Sequence, residues 1–400
     1  MDAPFRRLFN AQFTPALYDR YRDRLSRQLD CAFEFRLAES PLFLPDDFKE
    51  RAVTSANAIV EQLSSPELIA RMREAIPERW DTPGMDHLPN FAQVDFAVVR
   101  GPDGTLVPKL IELQGFPSLT SLQVVQRDAW KDTLAQMDGL DVAWSCWFSG
   151  YDRESFLDLA RRTIVGMHDP AEVILMDIDP PRQKTWPDFA ATRLLFGVDA
   201  VDPTTLVRRG RSLFRADGTP VRRIYNRVVF DELIAKGIEL PFDYREELDV
   251  EWTPHPNWYW VWSKYSLPFL RHDSVPRATF VSDLDRVPDD LSGYVLKPLF
   301  SFAGGGVNVE PTRADVDAIP KGERHAWCLQ EKIEYEPALE AADGGGVKIE
   351  IRLMFLRPDD EPKPILAQNL VRLSRGKMLG VDFNKQFTWV GSSVGLSMTS

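Results

Sequence analysis

The stretch Tyr294-Val-Leu-Lys297-Pro-Leu-Phe-Ser-Phe-Ala303-Gly-Gly-Gly306-Val307 decides the fold: an apolar strand, a lysine and three consecutive glycines. Glycines between strands weaken a sheet, so they are typical of places where something approaches the backbone closely. Bare N–H groups on such a loop can point at an anion, and a nearby lysine adds a point charge for phosphate. The commonest phosphate-loop patterns, G-x-x-x-x-G-K-[ST] and a helix-opening G-x-G-x-x-G, do not occur. The stretch therefore predicts either a phosphate-covering loop or a flexible hairpin tip near a surface lysine.

Composition and charge argue against several classes of partner and site. The chain has 400 residues, 44% hydrophobic and 27% charged, as expected for a soluble globular protein of two or three domains. Its formal net charge of −12 and pI of about 5.1 disfavour nucleic acid or an anionic membrane as a general partner. Cys31, Cys146 and Cys328 are far apart, which predicts reduced thiols. Without a signal-peptide pattern or a membrane-spanning run, the sequence predicts a cytoplasmic protein.

Hydrophobic periodicity predicts α+β and α/β structure. Helical spacing predicts helices within 14–75 and at 118–138, Glu154–Met167, Asp188–Phe196 and Lys264–Leu270. Alternation and turn signals predict strands at Phe91–Arg100, Leu106–Gln114, Glu172–Asp177 and Arg223–Val228, and a hairpin at Leu213–Val221. We expect an N-terminal helical segment at 1–90, a hairpin and helix at 91–149, a small α/β unit at 150–257 and a final α+β domain at 258–400.

A predicted strand about two dozen residues after the glycine loop ends in polar side chains. It covers Ala326–Ile333 and contains the pair Gln330-Glu331. Such a segment can present backbone groups and a carboxylate to an adenine and a ribose. Polar residues at strand ends are also commonplace, so its meaning depends on its position after the loop.

The next strand, Val347–Phe355, places Glu350 and Arg352 on one face by alternation. The simplest interpretation is the wet face of a half-buried strand. The alternative is an arginine that faces a site, where it would grip phosphate or carboxylate bidentately. Arg372 lies in the following predicted strand and turn, Leu370–Lys377.

The order of these pieces resembles the ATP-grasp family, in which two lysines and a glycine-rich loop hold the triphosphate between two α+β subdomains. The resemblance covers roughly residues 258–395. It implies ATP contacts from two lysines, the glycine loop and an adenine-lining strand: Lys264, Lys297, Gly304, Gly305, Gly306, Gln330, Glu331 and Ile333. We take Arg352, and after it Arg372, as the arginine that stabilises the transition state.

ATP chemistry uses Mg²⁺, whose protein ligands are usually one or two carboxylates beside phosphate oxygens. In the predicted hairpin, Glu112 and Gln114 are two residues apart and so share a face. The two strands are joined by Gly101-Pro-Asp-Gly104, a strong turn signal. Folding about this turn brings Asp95 opposite residue 110, and Pro108 can shift this pairing by one or two residues. The hairpin therefore predicts Asp95, Glu112 and Gln114 as metal ligands; the alternative is a solvent-exposed sheet face.

A metal-binding hairpin upstream of the lysine–glycine half resembles the circularly permuted ATP-grasp proteins, notably the glutathionylspermidine synthase type. There an acid and a Glu-x-Asn-x-Asp-x-Pro-Thr stretch precede the nucleotide half. The matching stretch here is Glu112-Leu-Gln114-Gly-Phe-Pro117-Ser-Leu-Thr120, with Gln114 at the Asn position and Gln93 where the family tends to have arginine. The resemblance also implies that 150–257 is a small pre-ATP-grasp-like unit.

The resemblance implies an ATP- and Mg²⁺-dependent carboxylate–amine ligase that forms an amide through an acylphosphate. Its partners would be small-molecule carboxylate and amine substrates, with no nucleic acid and no membrane. A nucleotide-binding protein without ligase activity and a small-molecule phosphotransferase are the alternatives. The sequence specifies neither the two substrates nor the oligomeric state.

Overall fold

The structure is a computed structural model, and it describes residues 1–300, 305–376, 384 and 386–398. The predicted mixed α and β architecture is confirmed. The helices are α1 (Ala3–Gln12), α2 (Pro15–Leu29), α3 (Asp46–Leu63), α4 (Pro66–Met72), α5 (Leu122–Leu134), α6 (Arg153–Ile164), α7 (Trp186–Phe196), α8 (Phe230–Lys236), α9 (Trp258–Val261) and α10 (Arg313–Asp317).

The strands form several sheets rather than one. They are β1 (Leu42–Phe43), β2 (Phe91–Arg100), β3 (Leu106–Gln114), β4 (Trp144–Ser145), β5 (Val173–Met176), β6 (Asp199–Val201), β7 (Val207–Arg209), β8 (Ser212–Phe214), β9 (Pro220–Val221), β10 (Arg223–Asn226), β11 (Glu251–Thr253), β12 (Ala278–Phe280), β13 (Tyr294–Pro298), β14 (Trp327–Glu331), β15 (Leu339–Glu340), β16 (Gly346–Leu356), β17 (Ile365–Ser374), β18 (Gly391–Ser393) and β19 (Gly395–Met398). The first and last strands pair in the small sheet β1-β19-β4.

A central antiparallel sheet has the order β18-β17-β16-β2-β3, and β15 adds to one end of β16. One face of this sheet supplies apolar side chains to the main hydrophobic core, together with residues of α2, α3, α5 and α6; its contributors include Val94, Phe96, Ile349, Ile351 and Val371. Because side chains alternate along a strand, the opposite face carries the polar residues between them. This polar face is the floor of the candidate site.

A second antiparallel sheet, β12-β14-β13, carries the lysine that precedes the glycine loop. Leu296 and Leu329 pack on one of its faces in a small separate core. Register pairs Lys297 with Cys328 and Val295 with Gln330, so these four residues share the other face. That face is turned toward the central sheet, since Lys297 donates a hydrogen bond to a carbonyl of β3.

A small parallel sheet, β11-β10-β5-β6, forms the α/β part of the chain and is accompanied by the hairpin sheet β7-β8-β9. The predicted hairpin at Leu213–Val221 is thereby confirmed. Asp177 follows the carboxyl end of β5 and is almost fully buried. Burial raises its pKa to about 7, although the nearby Arg227 opposes this change.

Local backbone chemistry explains where the elements differ from expectation. The helix predicted at Lys264–Leu270 is wrong: Lys264–Phe269 is a 3₁₀ turn, because Pro268 inside it has no N–H to donate. The helix predicted from residue 118 begins at Leu122, since Leu119 has a φ of +59° that no α-helix accepts. Among the described residues, every helix is too short or too polar to cross a membrane.

Candidate active site

The metal-ligand hairpin forms with the predicted strand bounds, and its register brings the polar side chains together. Asp95 pairs with Glu112, and Gln93 pairs with Gln114. Phe96 pairs with Leu110, one residue from the predicted alignment, and the bulge between Asp95 and Phe96 adds a second residue. The pairing of Asp95 is therefore shifted by two residues from the opposite-110 alignment, within the range predicted. The Gln114 side-chain amide donates to Oε1 of Gln93 (2.8 Å) and to the carbonyl of Phe116 (3.2 Å).

The next two strands place the predicted arginines beside this hairpin. Arg352 lies opposite Asp95 across β2 and β16, and Arg372 lies opposite Glu350 across β16 and β17. Arg352 donates from Nε and Nη2 to the two oxygens of Asp95, both at 2.6 Å. Arg372 Nη2 donates to Asp95 Oδ2 at 2.6 Å and also contacts Glu350. Since Asp95 is only 1% exposed, this is a buried ion cluster rather than a wet sheet face.

The two predicted lysines reach the same place from the other half of the chain. Lys297 Nζ donates to the carbonyl oxygen of Ile111 at 3.0 Å, and Lys264 Nζ lies 3.9 Å from Glu112 Oε2. Burial lowers the pKa of Lys297. Burial also opposes the ionisation of Glu112, but Lys264 and the arginines outweigh it and leave the pKa of Glu112 below its usual value. The structure therefore unites the two halves of the predicted site.

A glycine fixes the approach of the Lys264 segment to the hairpin. Gly115 follows β3 directly, and its N–H donates to the carbonyl of Trp262 at 2.7 Å. A Cβ at this position would lie 2.8 Å from the Trp258 carbonyl oxygen and 2.9 Å from the Trp262 Cβ. Any other residue would push the tryptophans away, and with them the 3₁₀ turn that begins at Lys264.

The other residues predicted to contact the nucleotide differ in burial and in hydrogen bonding. Gln330 is 1% exposed, and its Nε2 has no hydrogen-bond partner in the part of the chain that the structure describes. Glu331 is exposed, and its carboxylate accepts a hydrogen bond from the N–H of Arg277 at 3.0 Å, on the sheet edge. Ile333 is half-buried in the segment after β14.

The glycine loop is described only in part. Gly305 and Gly306 form an exposed turn, and Gly306 has a φ of +70°, which glycine adopts without strain. The predicted contact at Gly304 lies outside the described residues. Beyond the loop, Asn308 forms a single bridge with Leu296. The role of these glycines as a phosphate cover stays a prediction.

Sequence reasoning missed two members of the cluster. Glu350 is 3% exposed, and burial together with Asp95 and Glu112 raises its pKa to about 7, against the effect of Arg372. The hydroxyl of Tyr335 lies 3.5 Å from Glu350 Oε2, and burial raises its pKa well above the usual value. The shared face of Glu350 and Arg352 was a signal for the first. Tyr335 lies in a segment without periodicity, so the sequence held no signal for it.

Mg²⁺ fits part of the predicted ligand set. No three His, Cys, Asp or Glu side chains come together as a metal site in the described ranges. Mg²⁺ bound with a nucleotide needs only one or two protein oxygens, because phosphate and water complete its shell. Glu112 is partly exposed, and the amide nitrogen of Gln114 is held by its neighbours, which leaves Oε1 for ligation. Asp95 can ligate only when the arginines release one of its oxygens.

Comparisons with known proteins support the fold. No family model matches the sequence, and neither does any curated protein. Among solved structures, the chain is similar to a glutathione synthetase-like effector from Globodera pallida in its apo form, with a TM-score of 0.60 and 12% identity over 96% of each chain. The chain thus shares the fold of this glutathione synthetase-like protein.

Proposed function

We propose that the protein is an ATP- and Mg²⁺-dependent carboxylate–amine ligase of the circularly permuted ATP-grasp type, resembling glutathionylspermidine synthase. The observation that carries the proposal is the meeting of the two halves: Lys297 bonds to the backbone of Ile111, next to Glu112. The acids of the hairpin, the two lysines and the two arginines meet on one buried face. Burying that many charged groups costs free energy, which is unusual for a sheet with only a structural role. It suits a ligand that brings phosphate charge to the cations and a metal ion to the carboxylates.

The reaction would join two small molecules in two displacements. A carboxylate oxygen of the first attacks the γ-phosphorus of ATP, and the bond from that phosphorus to ADP breaks. The nitrogen of an amine then attacks the acyl carbon, phosphate leaves, and the amine proton passes to solvent. Mg²⁺, when bound, supplies charge neutralisation on the phosphate oxygens. The proposed partners of the protein are these two small molecules and neither nucleic acid nor a membrane, which agrees with the acidic composition of the chain.

The chain's own residues bind and orient. Lys264 and Lys297 offer ammonium groups to phosphate, while Glu112 and Gln114 offer oxygens to the metal. Arg372 is the arginine better placed to face the transferred phosphoryl group, because its side chain is 35% exposed whereas that of Arg352 is 6% exposed. This reverses the order of preference drawn from the sequence. Gln330, with its unpaired buried amide, is the side chain best suited to contact the nucleobase.

A nucleotide-binding protein without ligase activity is the second candidate. Two observations favour it: both oxygens of Asp95 are held by arginine, and Gln93 and Gln114 bond to each other. The similar solved structure is described as an effector, which leaves room for the same outcome here. A phosphotransferase that stops after the first displacement is a third candidate.

Release of ADP separates these candidates. The wild-type protein is incubated with Mg²⁺, ATP and pooled carboxylates with or without pooled amines, and ADP and free phosphate are followed. A ligase releases both only when carboxylate and amine are present together, whereas a phosphotransferase releases ADP with one acceptor alone. ATP binding with no turnover for any acceptor, unchanged by Glu112→Ala, would establish the second candidate.

A matched pair of variants ties the activity to the site. Glu112→Gln removes the negative charge of this proposed metal ligand. It is expected to lower kcat by about 100-fold or more, the usual effect of losing a group that stabilises the charge of the transition state. Asp103→Asn changes an exposed carboxylate in the turn of the same hairpin, where it accepts hydrogen bonds from Thr105. It should leave kcat within about twofold, since surface substitutions of this kind have small effects.

A further inference from the structure

The two arginines of the site share Asp95 but differ in their other partner. Arg352 donates twice to Asp95, at 2.6 Å from Nε and 2.6 Å from Nη2. Arg372 reaches Asp95 with Nη2 alone, and the same nitrogen contacts Oε1 of Glu350. Arg372 is therefore the arginine that stays in direct contact with a second carboxylate when its bond to Asp95 breaks, whereas Nη2 of Arg352 is 4.0 Å from Glu112 Oε1.

Strand register shows which of these contacts the backbone imposes. Asp95 and Arg352 are directly opposite across β2 and β16, and Glu350 and Arg372 are directly opposite across β16 and β17. Opposite residues have Cβ atoms only about 5 Å apart, so both pairs meet in any conformation of the sheet. The contact from Arg372 to Asp95 is different, because it passes over β16. It can be given up without any movement of the backbone.

The two side chains of this pair differ in burial: that of Glu350 is enclosed by the protein, and that of Arg372 is partly exposed. The Glu350 side chain is 4% exposed, against 35% for Arg372. Its second oxygen faces the hydroxyl of Tyr335 at 3.5 Å, in the segment that connects β14 to β15. The carboxylate is thus flanked on two sides, while the guanidinium that it holds reaches the open side of the sheet.

We propose that Glu350 is a positioning residue: it holds Arg372 at the site when Asp95 exchanges that arginine for a metal ion. This inference rests on the proposed function. Asp95 would move from arginine to Mg²⁺ as the nucleotide binds, and Arg372 would stay on Glu350 with its exposed side aimed at the phosphoryl group in transfer. Arg352 would keep Oδ1 of Asp95 through Nε, while Oδ2, which Nη2 of both arginines contacts in the free protein, would turn to the metal ion.

Calorimetry with a phosphoryl-transfer mimic tests this without knowledge of the substrates. The probes are Mg²⁺–ADP alone and Mg²⁺–ADP with aluminium fluoride, which imitates the transferred group. In the wild type, aluminium fluoride is expected to tighten ADP binding. Glu350→Gln keeps the side-chain shape, so Mg²⁺–ADP should bind within about twofold of wild type, while the tightening by aluminium fluoride falls by about tenfold or more.

Non-additivity separates positioning from a general structural role. If Glu350 acts through Arg372, the double variant Glu350→Gln/Arg372→Ala loses no more tightening than Arg372→Ala alone. Asp343→Asn is the matched control, because it removes the carboxylate partner of Arg375, just beyond the end of β17 and outside the site. It should change neither probe.

The outcomes are distinguishable. A wild type that binds no Mg²⁺–ADP overturns the proposed function, and this inference with it. A wild type that binds both probes, beside a Glu350→Gln variant that retains the tightening, overturns the inference alone. Equal weakening of both probes, or additive losses in the double variant, also overturns it, since either would show that Glu350 merely supports the sheet.

Discussion

Substitution of Asp95 by asparagine is the sharpest test of the buried cluster. Asp95 accepts three charge-assisted hydrogen bonds, each at 2.6 Å, from Arg352 and Arg372. The Arg352 side chain is 6% exposed, so water cannot replace the lost carboxylate there. Breaking such a pair by removing one partner leaves an uncompensated buried charge and costs roughly 3–5 kcal/mol. We expect Asp95→Asn to lower the free energy of unfolding by that amount.

The assay is urea denaturation followed by tryptophan fluorescence and by far-ultraviolet circular dichroism. Coincidence of the two curves is required, because a chain of 400 residues can unfold in more than one step. Asp343→Asn is the comparison: it breaks the pair with Arg375. The Asp343 side chain is 44% exposed, so the substitution should cost less than about 1 kcal/mol.

A double replacement makes the test stricter. Asp95→Leu combined with Arg352→Met removes both charges and keeps apolar volume, and buried pairs replaced in this way often lose little stability. The double variant should therefore be more stable than Asp95→Asn. A loss below 1 kcal/mol for Asp95→Asn, or a double variant less stable than the single one, would refute the claim that compensation of buried charge governs this face.

The remaining predictions concern Lys264, Gly115 and the buried Asp177. Lys264→Ala should weaken Mg²⁺–ATP binding by about tenfold in calorimetry, since it removes one ammonium group that would contact phosphate. Gly115→Ala should lower stability by about 1–3 kcal/mol and weaken ATP binding as well, because the new Cβ meets the Trp258 carbonyl; unchanged ATP affinity would contradict the packing argument. Asp177→Asn should stabilise the protein at pH 8 but not at pH 4. A carboxyl whose pKa rises from 3.8 to about 7 on folding binds a proton more readily in the folded state, so stability falls as pH rises through that window, by at most about 4 kcal/mol. Parallel pH profiles of unfolding free energy for wild type and variant would contradict it.

Sequence signals within a short stretch predicted the part of the site that a short stretch forms. The hairpin of β2 and β3 forms with the predicted bounds because alternation and a Gly-Pro-Asp-Gly turn are both written within a couple of dozen residues. The bulge after Asp95 was foreseen only as a range, since the residue at which a ladder slips depends on its neighbours. The lysines were identified by their order along the chain and by a family resemblance.

What the sequence did not predict depends on contacts between distant residues. Arg352 meets Asp95 across a sequence separation of 257 residues, and periodicity along one strand cannot specify its neighbour in the sheet. For the same reason, the simplest interpretation of the face of β16 that carries Glu350 was a solvent-exposed face. The position of the 3₁₀ turn at Lys264 depends on the close approach of Trp258 and Trp262 to Gly115, which only the assembled structure shows.

The pairing of β2 with β16 has a consequence for how the chain folds during its synthesis. β2 leaves the ribosome early, but β16, its neighbour on one side in the central sheet, is synthesised only after most of the chain has emerged. Until then the apolar face of the β2–β3 hairpin, with Val94 and Phe96, has no completed sheet to join. Non-local strand pairing of this kind is slow and exposes surface that aggregates. We therefore expect truncation before β16 to yield insoluble protein, and chaperone supply during synthesis to govern the yield of the full chain.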